Sequence, residues 1–496
     1  LGAAAVERTY KVWKTIFLIL SDTFRAIIYS HGKRYTSDMA QSNLSELRAK
    51  ESEFTAISQD IKGGSSAALC SVCKGSRLLC GKDRCPVVTR YHAHLKASTK
   101  FSENMAGSSP PSVFVGRAGY PKVYIGPMVP PIMGDTEIMD MPEMWVGKSI
   151  DDILGYRMNL VRGMHAVNVH NVENGGRIVD ETRELAMGYG TADMEAVFYR
   201  RPSGRMTFDD NTQPFGPSAP LKSFDINSLK IDHRIDKAYS DTDLRAAEAV
   251  IGLYGNGTML SRLQRSFSVG AFGIGKNRKF VPTRWSITAI DDILGKNLLQ
   301  STRDAPIITD FEVYETESLD NRWAILMMPC TWRYELIEAW YPRSVWNPYG
   351  QGIEIISDWE FYKPRKTYAR IGGCYYSARL AVNENLTARN RQAGVVIFRE
   401  AHAGYIMPVG VWNVRENVRD AVKKVPKKFV TLSVALAYIQ TKMDIPMTRW
   451  IRTSGILKDM LYQRRIEDFL GGRAEPGLEA QDEDHGSEGQ HSLQPI

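Results

Sequence analysis

The sequence lacks any apolar run approaching the ~20 residues that a bilayer-spanning helix requires. Its nearest candidate, within residues 12–20, is short and interrupted by Lys14. No small-residue cleavage site follows before Asp22 and Arg25, so a secretory leader is not expected either. Cysteine is scarce, at six in 496 residues. Two of the six, Cys330 and Cys374, stand alone in apolar surroundings. That distribution excludes a disulfide framework and points to a reducing, cytoplasmic setting. No internal repeat is present, and no glycine-rich stretch has the spacing of a Walker loop.

What remains is the composition of an ordinary globular protein, 43% hydrophobic and 24% charged, long enough for two to four domains. The formal charge is +7, but it is unevenly spread. Residues 471–496 carry −5, so the rest of the chain carries +12. A basic body with an acidic tail suggests a polyanionic partner.

The other four cysteines fall within 16 residues, as Cys70-x2-Cys73-x6-Cys80-x4-Cys85. Two close pairs can bring four thiolates to a tetrahedral Zn²⁺ at about 2.3 Å. All-sulfur ligation leaves no open coordination position, so a structural ion is expected. An iron–sulfur cluster, a redox pair at Cys70 and Cys73, or four unrelated thiols are the alternatives. Lys74, Arg77, Lys82, Arg84, Arg90 and Lys96 surround the cluster. Such a basic knuckle either meets phosphates or is simply a solvated surface.

The fold class expected is α+β: a small zinc knuckle, a mixed α/β body and a disordered acidic tail. Residues 1–69 read as a helical extension, with Met39 a candidate start, and residues 70–95 as the knuckle. The body divides into 96–300 and 301–465, and 466–496 form a tail too poor in apolar residues to fold. Within the body, residues 113–115 and 123–125 read as strands joined by a turn at Gly119–Tyr120–Pro121. Ser149 and Asp152 form a capping-box-like start to a helix over 149–163. Further helices are expected over 180–187, 288–299 and 371–386 and from Pro408, with a strand over 395–398.

Two basic and aromatic sets are candidate nucleic-acid contacts. Residues 268–286 combine a glycine-rich loop with Lys276, Arg278, Lys279, Arg284 and Trp285. Glycines let backbone N–H groups approach a phosphate, the cations add charge, and Trp285 offers a face to a base. A glycine-rich hairpin with Trp285 in the core is the alternative. The second set holds Arg365, Lys366, Arg370 and Arg379 beside Tyr375 and Tyr376. Arg415 and Arg419 share a helix face. Three acidic groupings also occur: Asp135 to Glu143, Asp180 to Glu184, and Asp291 with Asp292. A two-metal nuclease needs carboxylates around Mg²⁺ or Mn²⁺ ions ~4 Å apart, with Asp135 and Asp140 as candidates. Helix-terminal carboxylates and solvated faces are the favoured reading. Cys374 reads as a packed small hydrophobe.

Longer strings are more specific: Ser109-Pro-Pro-Ser-Val-Phe-Val-Gly-Arg-Ala-Gly-Tyr-Pro121, Gly126-Pro-Met-Val-Pro-Pro131, Arg278-Lys-Phe-Val-Pro-Thr-Arg-Trp-Ser-Ile-Thr-Ala-Ile-Asp-Asp292 and Gly372-Gly-Cys-Tyr-Tyr-Ser-Ala-Arg379. Together, over residues 70–419, the chain resembles the archaeal Nre family of DNA-repair proteins. The resemblance implies a role in DNA-damage repair. For many members it also implies a C-terminal motif, Gln-x-x-aliphatic-x-x-aromatic-aromatic, that docks the DNA polymerase sliding clamp. This chain ends Gln490-His-Ser-Leu493-Gln-Pro-Ile496. Gln490 and Leu493 fit, Ile496 takes the first aromatic place, and the second is absent. The missing rings remove much of the area that would bury such a plug. The leading expectation is a repair factor that binds damaged or branched DNA through basic surfaces. The alternatives are a metal-dependent, structure-specific nuclease and a clamp-associated scaffold without DNA contact.

Overall fold

The computed structural model describes residues 73, 75–79, 81–82, 84–203, 215–344, 346–347, 350–363 and 365–462. The expected extension over 1–69, Cys70, Cys80 and the acidic tail with Gln490, Leu493 and Ile496 lie outside the described residues. The body is mixed α/β. Among the described residues, no helix is long and apolar enough to cross a membrane.

Cys85 precedes helix α1 (Pro86–Ser98), whose first position is a proline, where a backbone N–H would have no intrahelical partner. There follow β1 (Asn104–Ser109), β2 (Val113–Val115), β3 (Lys122–Val129), α2 (Ile150–Asn159), β4 (Val161–Asn168) and α3 (Arg177–Met187). Next come β5 (Gly188–Tyr189), β6 (Ala192–Phe198), β7 (Ser218–Ile226) and β8 (Lys230–Ile231). Helices α4 (His233–Ser240), α5 (Ala246–Gly255), α6 (Leu260–Ser268) and α7 (Thr283–Asp304) complete the first half. Six strands pair in the order β1-β6-β7-β4-β3-β2, antiparallel except for β4 with β7. Helices α3, α5, α6 and α7 pack on this sheet in one core that includes Ile125, Val161, Phe224, Leu185, Val250, Leu263 and Ile290.

The expected hairpin forms: β2 pairs with β3, and its loop holds a cis Tyr120–Pro121 bond. Ser149 and Asp152 make a reciprocal capping box at α2. The helix expected to reach residue 163 stops at Asn159 instead. Leu160 is extended (φ −80°, ψ 91°), and Val161 and Gly163 enter β4 facing the core. A strand is favoured there because β4 lies close against β3. A Cβ on Gly126 would sit 1.9 Å from the Gly163 carbonyl oxygen, so glycine is required.

The second half runs β9 (Phe311–Ser318), β10 (Asn321–Met328), β11 (Arg333–Trp340), β12 (Glu354–Glu360), α8 (Gly373–Ala388) and β13 (Gly394–Ala401). It ends with α9 (Trp412–Lys423), β14 (Lys427–Phe429), α10 (Leu432–Gln440), α11 (Met447–Thr453) and α12 (Gly455–Tyr462). Its sheet has the order β12-β11-β13-β10-β9-β14, with β11 and β13 parallel. Helices cover both faces. On β10, Trp323, Ile325 and Met327 face α8 and α9, while Ala324, Leu326 and Met328 face the layer formed by α10, α11 and α12. Burial on both sides explains why β10 and β13 are nearly continuous apolar runs rather than alternating ones.

The two halves share cores. Leu380 of α8 belongs to the core of the first sheet, whereas its neighbours Ala378, Ala381 and Val382 belong to the second. Helix α7 passes through residue 300 without a break.

Candidate nucleic-acid interface

Helix α7 begins with a division of labour among four residues. Thr283 Oγ1 accepts the Val115 N–H at 2.9 Å, tying the helix start to the edge strand β2. Ser286 is fully buried, and its hydroxyl donates to the Gln264 carbonyl at 2.6 Å. With these two facing in, Arg284 and Trp285 face out. Trp285 is 46% exposed, and its ring centroid lies 5.3 Å from that of Tyr120, itself 45% exposed, at 54°. The β2–β3 loop that carries Tyr120 also exposes Arg117 and Lys122. Gly119, at φ +82°, permits the tight turn.

A segment from the second half reaches the same place. Tyr368, 64% exposed, packs on Tyr376, with ring centroids 5.4 Å apart. Although the Tyr368 side chain is largely exposed, partial desolvation raises its phenol above the usual range, while Thr288 and the Arg284 charge oppose that shift. Thr288 lies one turn along α7 from Arg284, so the two sequence-distant sets meet at the N-terminal end of α7. Lys363, Lys366 and Arg370 are exposed in the same segment.

The structure separates the expected contact residues into two groups. Lys276, Lys279, Arg284, Trp285 and Lys366 are exposed. Arg278 and Arg365 are half-buried and Arg379 is buried, and all three are engaged within the fold. Arg278 donates to the carbonyls of Gly273 (2.7 Å) and Tyr239 (2.6 Å) and lies over the Tyr239 ring, so it braces its own loop. Arg365 pairs with Asp358 and covers the Tyr375 ring at 5.0 Å. Arg379 has no exposure. It joins α8 to Glu360 of β12 (3.1 Å) and to Asp292 of α7 (2.5 Å). A buried arginine without carboxylates would be prohibitively desolvated, so its partners fix it inside.

The first part of the glycine-rich loop is packed rather than open. Ala271 and Phe272 are buried, and the N–H groups of Gly270 and Ala271 already bond the carbonyls of Phe267 and Ser266. Gly270, at φ +72°, sits against the Lys279 carbonyl. Close packing therefore explains the first glycines, while residues 274–277 and Lys279 are exposed.

The suggested catalytic carboxylates are engaged. Asp140 accepts from Ser112 Oγ (2.5 Å) and from Arg157 (3.0 Å), and Asp135 accepts the Glu137 N–H (3.1 Å). Asp180 pairs with Arg183 at 2.6 Å. These contacts brace helices and loops.

At the cysteine head, Cys73 and Cys85 are described. The N–H groups of Leu79, Gly75, Arg77 and Leu78 lower the Cys73 thiol, against a smaller opposing effect of burial. Backbone donors around a sulfur stabilise the thiolate that a metal needs. Gly75 has φ +75°, and a Cβ on it would stand 3.6 Å from Cys85 Sγ, so the turn after Cys73 faces Cys85. Cys73 and Cys85 thus share one turn, the two described members of the expected thiolate set. The basic residues of the head are partly committed. Arg84 grips Asp151 of α2 with both terminal nitrogens, and buried Lys82 reaches the Ser344 carbonyl at 3.4 Å.

The exposed aromatics Tyr120 and Tyr368 did not stand out in the sequence. The only cue for Tyr120 was its place between glycine and proline in a hairpin turn, where side chains project outward.

With this geometry in hand, the class is defined by direct comparison. Residues 79–347 match the family described as archaeal Nre, N-terminal, and residues 360–469 match archaeal Nre, C-terminal. The chain belongs to the archaeal Nre family. It is 39% identical over 402 residues to the DNA repair protein NreB of Archaeoglobus fulgidus, covering 81% of this chain and all of that protein. It is 36% identical over 376 residues to the DNA repair protein NreA of the same organism, covering 76% and 94%. Against the DNA repair protein NreA of Haloferax volcanii it is 34% identical over 337 residues, covering 65% and 80%. No solved structure matches. The boundary between the two family segments falls inside the second sheet, so β9–β11 come from one segment and β13 and β14 from the other.

Proposed function

We propose that this chain is a DNA-damage repair factor that holds damaged or branched DNA at the N-terminal end of α7. What carries the reading is the exposed Tyr120–Trp285 pair beside Arg284, with Arg117 and Lys122 on one flank and Tyr368 and Lys366 on the other. Aromatic faces flanked by cations suit unpaired bases and their phosphates, and each stacked base contributes about 1–3 kcal/mol. Family membership and the names of the relatives support the repair role. Trp285 sits at a helix start and Tyr120 in a hairpin loop, so regular elements position both rings. Duplex ends, flaps and single strands offer the unpaired bases that it needs.

Two accessory features complete the proposal. Zinc held by Cys70, Cys73, Cys80 and Cys85 folds the head against α2, and the segment Gln490, Leu493, Ile496 recruits the sliding clamp. The reading calls on no cleavage at Asp135, which accepts the Glu137 N–H, or at Asp140, which is held by Ser112 and Arg157.

The test is fluorescence anisotropy with labelled single-stranded, flap and duplex DNA across a salt series. Steep weakening with salt is expected, together with loss of affinity for unpaired DNA in Trp285→Ala and Tyr120→Ala. Binding that ignores both salt and these substitutions overturns the proposal.

A further inference from the structure

Away from that surface, β13 ends beside a cluster of a different kind. Glu400 is fully buried at the end of the strand. Its two carboxylate oxygens accept the N–H groups of Ile445 (2.8 Å) and Asp444 (3.1 Å), in the turn between α10 and α11. His402 follows two residues later. Its ring stacks on Tyr341, with centroids 4.2 Å apart and planes at 22°. Its Nε2 lies 3.4 Å from Glu400 Oε2, yet it is shielded from solvent and has no hydrogen-bond partner among the described residues. Asp444 completes the group, and one donor atom from each of the three lies within 4.8 Å of the others.

We propose that Glu400, His402 and Asp444 form a divalent metal site. The arrangement is unbalanced without a cation. An imidazole nitrogen that bears a lone pair would face two carboxylates, and one that bears a proton would lack an aligned acceptor. Arg322 supplies the neighbouring positive charge, through Asp444 Oδ1 at 2.5 Å, but it is shared with Glu317. A cation between Nε2, a Glu400 oxygen and an Asp444 oxygen satisfies all three. The supports are rigid. Two backbone N–H groups orient Glu400, and the Tyr341 ring fixes the imidazole plane, as second contacts do at metal centres. One imidazole with two carboxylates suits Mn²⁺, Fe²⁺ or Zn²⁺. Three protein ligands leave positions for water or a ligand oxygen, unlike the sulfur-saturated head.

Mn²⁺ avoids thiolates, so it reads this site apart from the cysteines. The experiment is a titration of the metal-stripped full chain with Mn²⁺, following free ion by electron paramagnetic resonance. A single bound Mn²⁺ per chain is expected. His402→Ala and Asp444→Asn should each weaken it by more than about tenfold. Asp444 is half-exposed, so its variant should keep the fold, and a melting curve checks this for both. No bound Mn²⁺ at millimolar concentration, or affinity unchanged in either folded variant, overturns the assignment.

Discussion

Nη1 of Arg415 stands 2.9 Å from each carboxylate oxygen of Asp291, with both side chains enclosed. The pair ties α7 to α9, and so the first half of the chain to the second. Arg415 also meets Glu416 at 3.1 Å, and Arg419 extends the network to Glu384 at 2.6 Å. Removing one member of such a network strands a charge in the interior. Arg415→Ala should therefore destabilise the protein by about 3–5 kcal/mol in urea unfolding. A loss within about 0.5 kcal/mol, the size expected at an ordinary surface position, would show that the network is incidental.

The same pair sets a pH dependence. Burial pushes the Asp291 carboxyl up from its ordinary 3.8 to about 6, against the pull of Arg415 and Arg419. The folded state then binds this proton more tightly than the unfolded state. Its contribution to stability is fully present below about 4 and is lost as pH rises through about 6. Asn does not titrate. The stability advantage of the wild type over Asp291→Asn should thus shrink between those pH values, measured by urea unfolding at each pH. A constant difference would mean that Arg415 keeps the carboxylate ionised throughout.

Arg379 and Arg284 make a matched contrast. Arg379→Ala leaves Glu360 and Asp292 without their shared guanidinium, so it should cost about 3–5 kcal/mol of stability. Arg284 is exposed at the start of α7, and Arg284→Ala should change stability by less than about 0.5 kcal/mol. On DNA the order reverses. Arg284→Ala should weaken binding and lower the salt slope by about one unit. Folded Arg379→Lys should bind DNA as the wild type does. Melting curves and salt-dependent anisotropy on the same samples decide the matter.

This contrast marks where the sequence stops being legible. The capping box of Ser149 and Asp152 and the hairpin around Tyr120 depend on neighbours a few residues apart, and both are readable. The buried run at 395–398 in β13 identifies a strand by its β-branched and apolar content. Arg379 has the same local surroundings as a surface cation: basic neighbours and two tyrosines. Its acidic partners lie 19 and 87 residues away, and only the fold reveals them. Glu400, His402 and Asp444 were hidden for the same reason, since a strand end and a helix–helix turn supply them. The segment at 160–163 shows the opposite failure. Its apolar spacing suits a helix, but close packing against β3 selects the strand.

The cysteine head should respond to metal removal and to backbone strain. Chelation of Zn²⁺, or Cys85→Ser, should lower the melting temperature and leave the sheets intact by circular dichroism. Gly75 occupies φ +75°, and a Cβ there would press to 2.3 Å from Val88 Cγ2. Gly75→Ala should therefore cost about 1–2 kcal/mol, and weaken zinc retention, because the turn that follows Cys73 must open. Zinc content by mass spectrometry unchanged in Gly75→Ala and Cys85→Ser together would remove the metal from the head.

The C-terminal segment can be tested by improving it. Gln490 and Leu493 occupy the expected places, and Ile496 stands where a clamp-binding motif carries an aromatic ring. An aromatic side chain buries more area than isoleucine and packs by its face and edge. If the segment docks on the clamp, Ile496→Phe should tighten binding, and Leu493→Ala should weaken it by about 1–3 kcal/mol. Isothermal titration of the full chain against the clamp separates the outcomes. Equal affinity for wild type, Ile496→Phe and Leu493→Ala would place the clamp contact elsewhere. Loss of binding in Leu493→Ala alone would mean that the aliphatic position anchors the segment without help from its last residue.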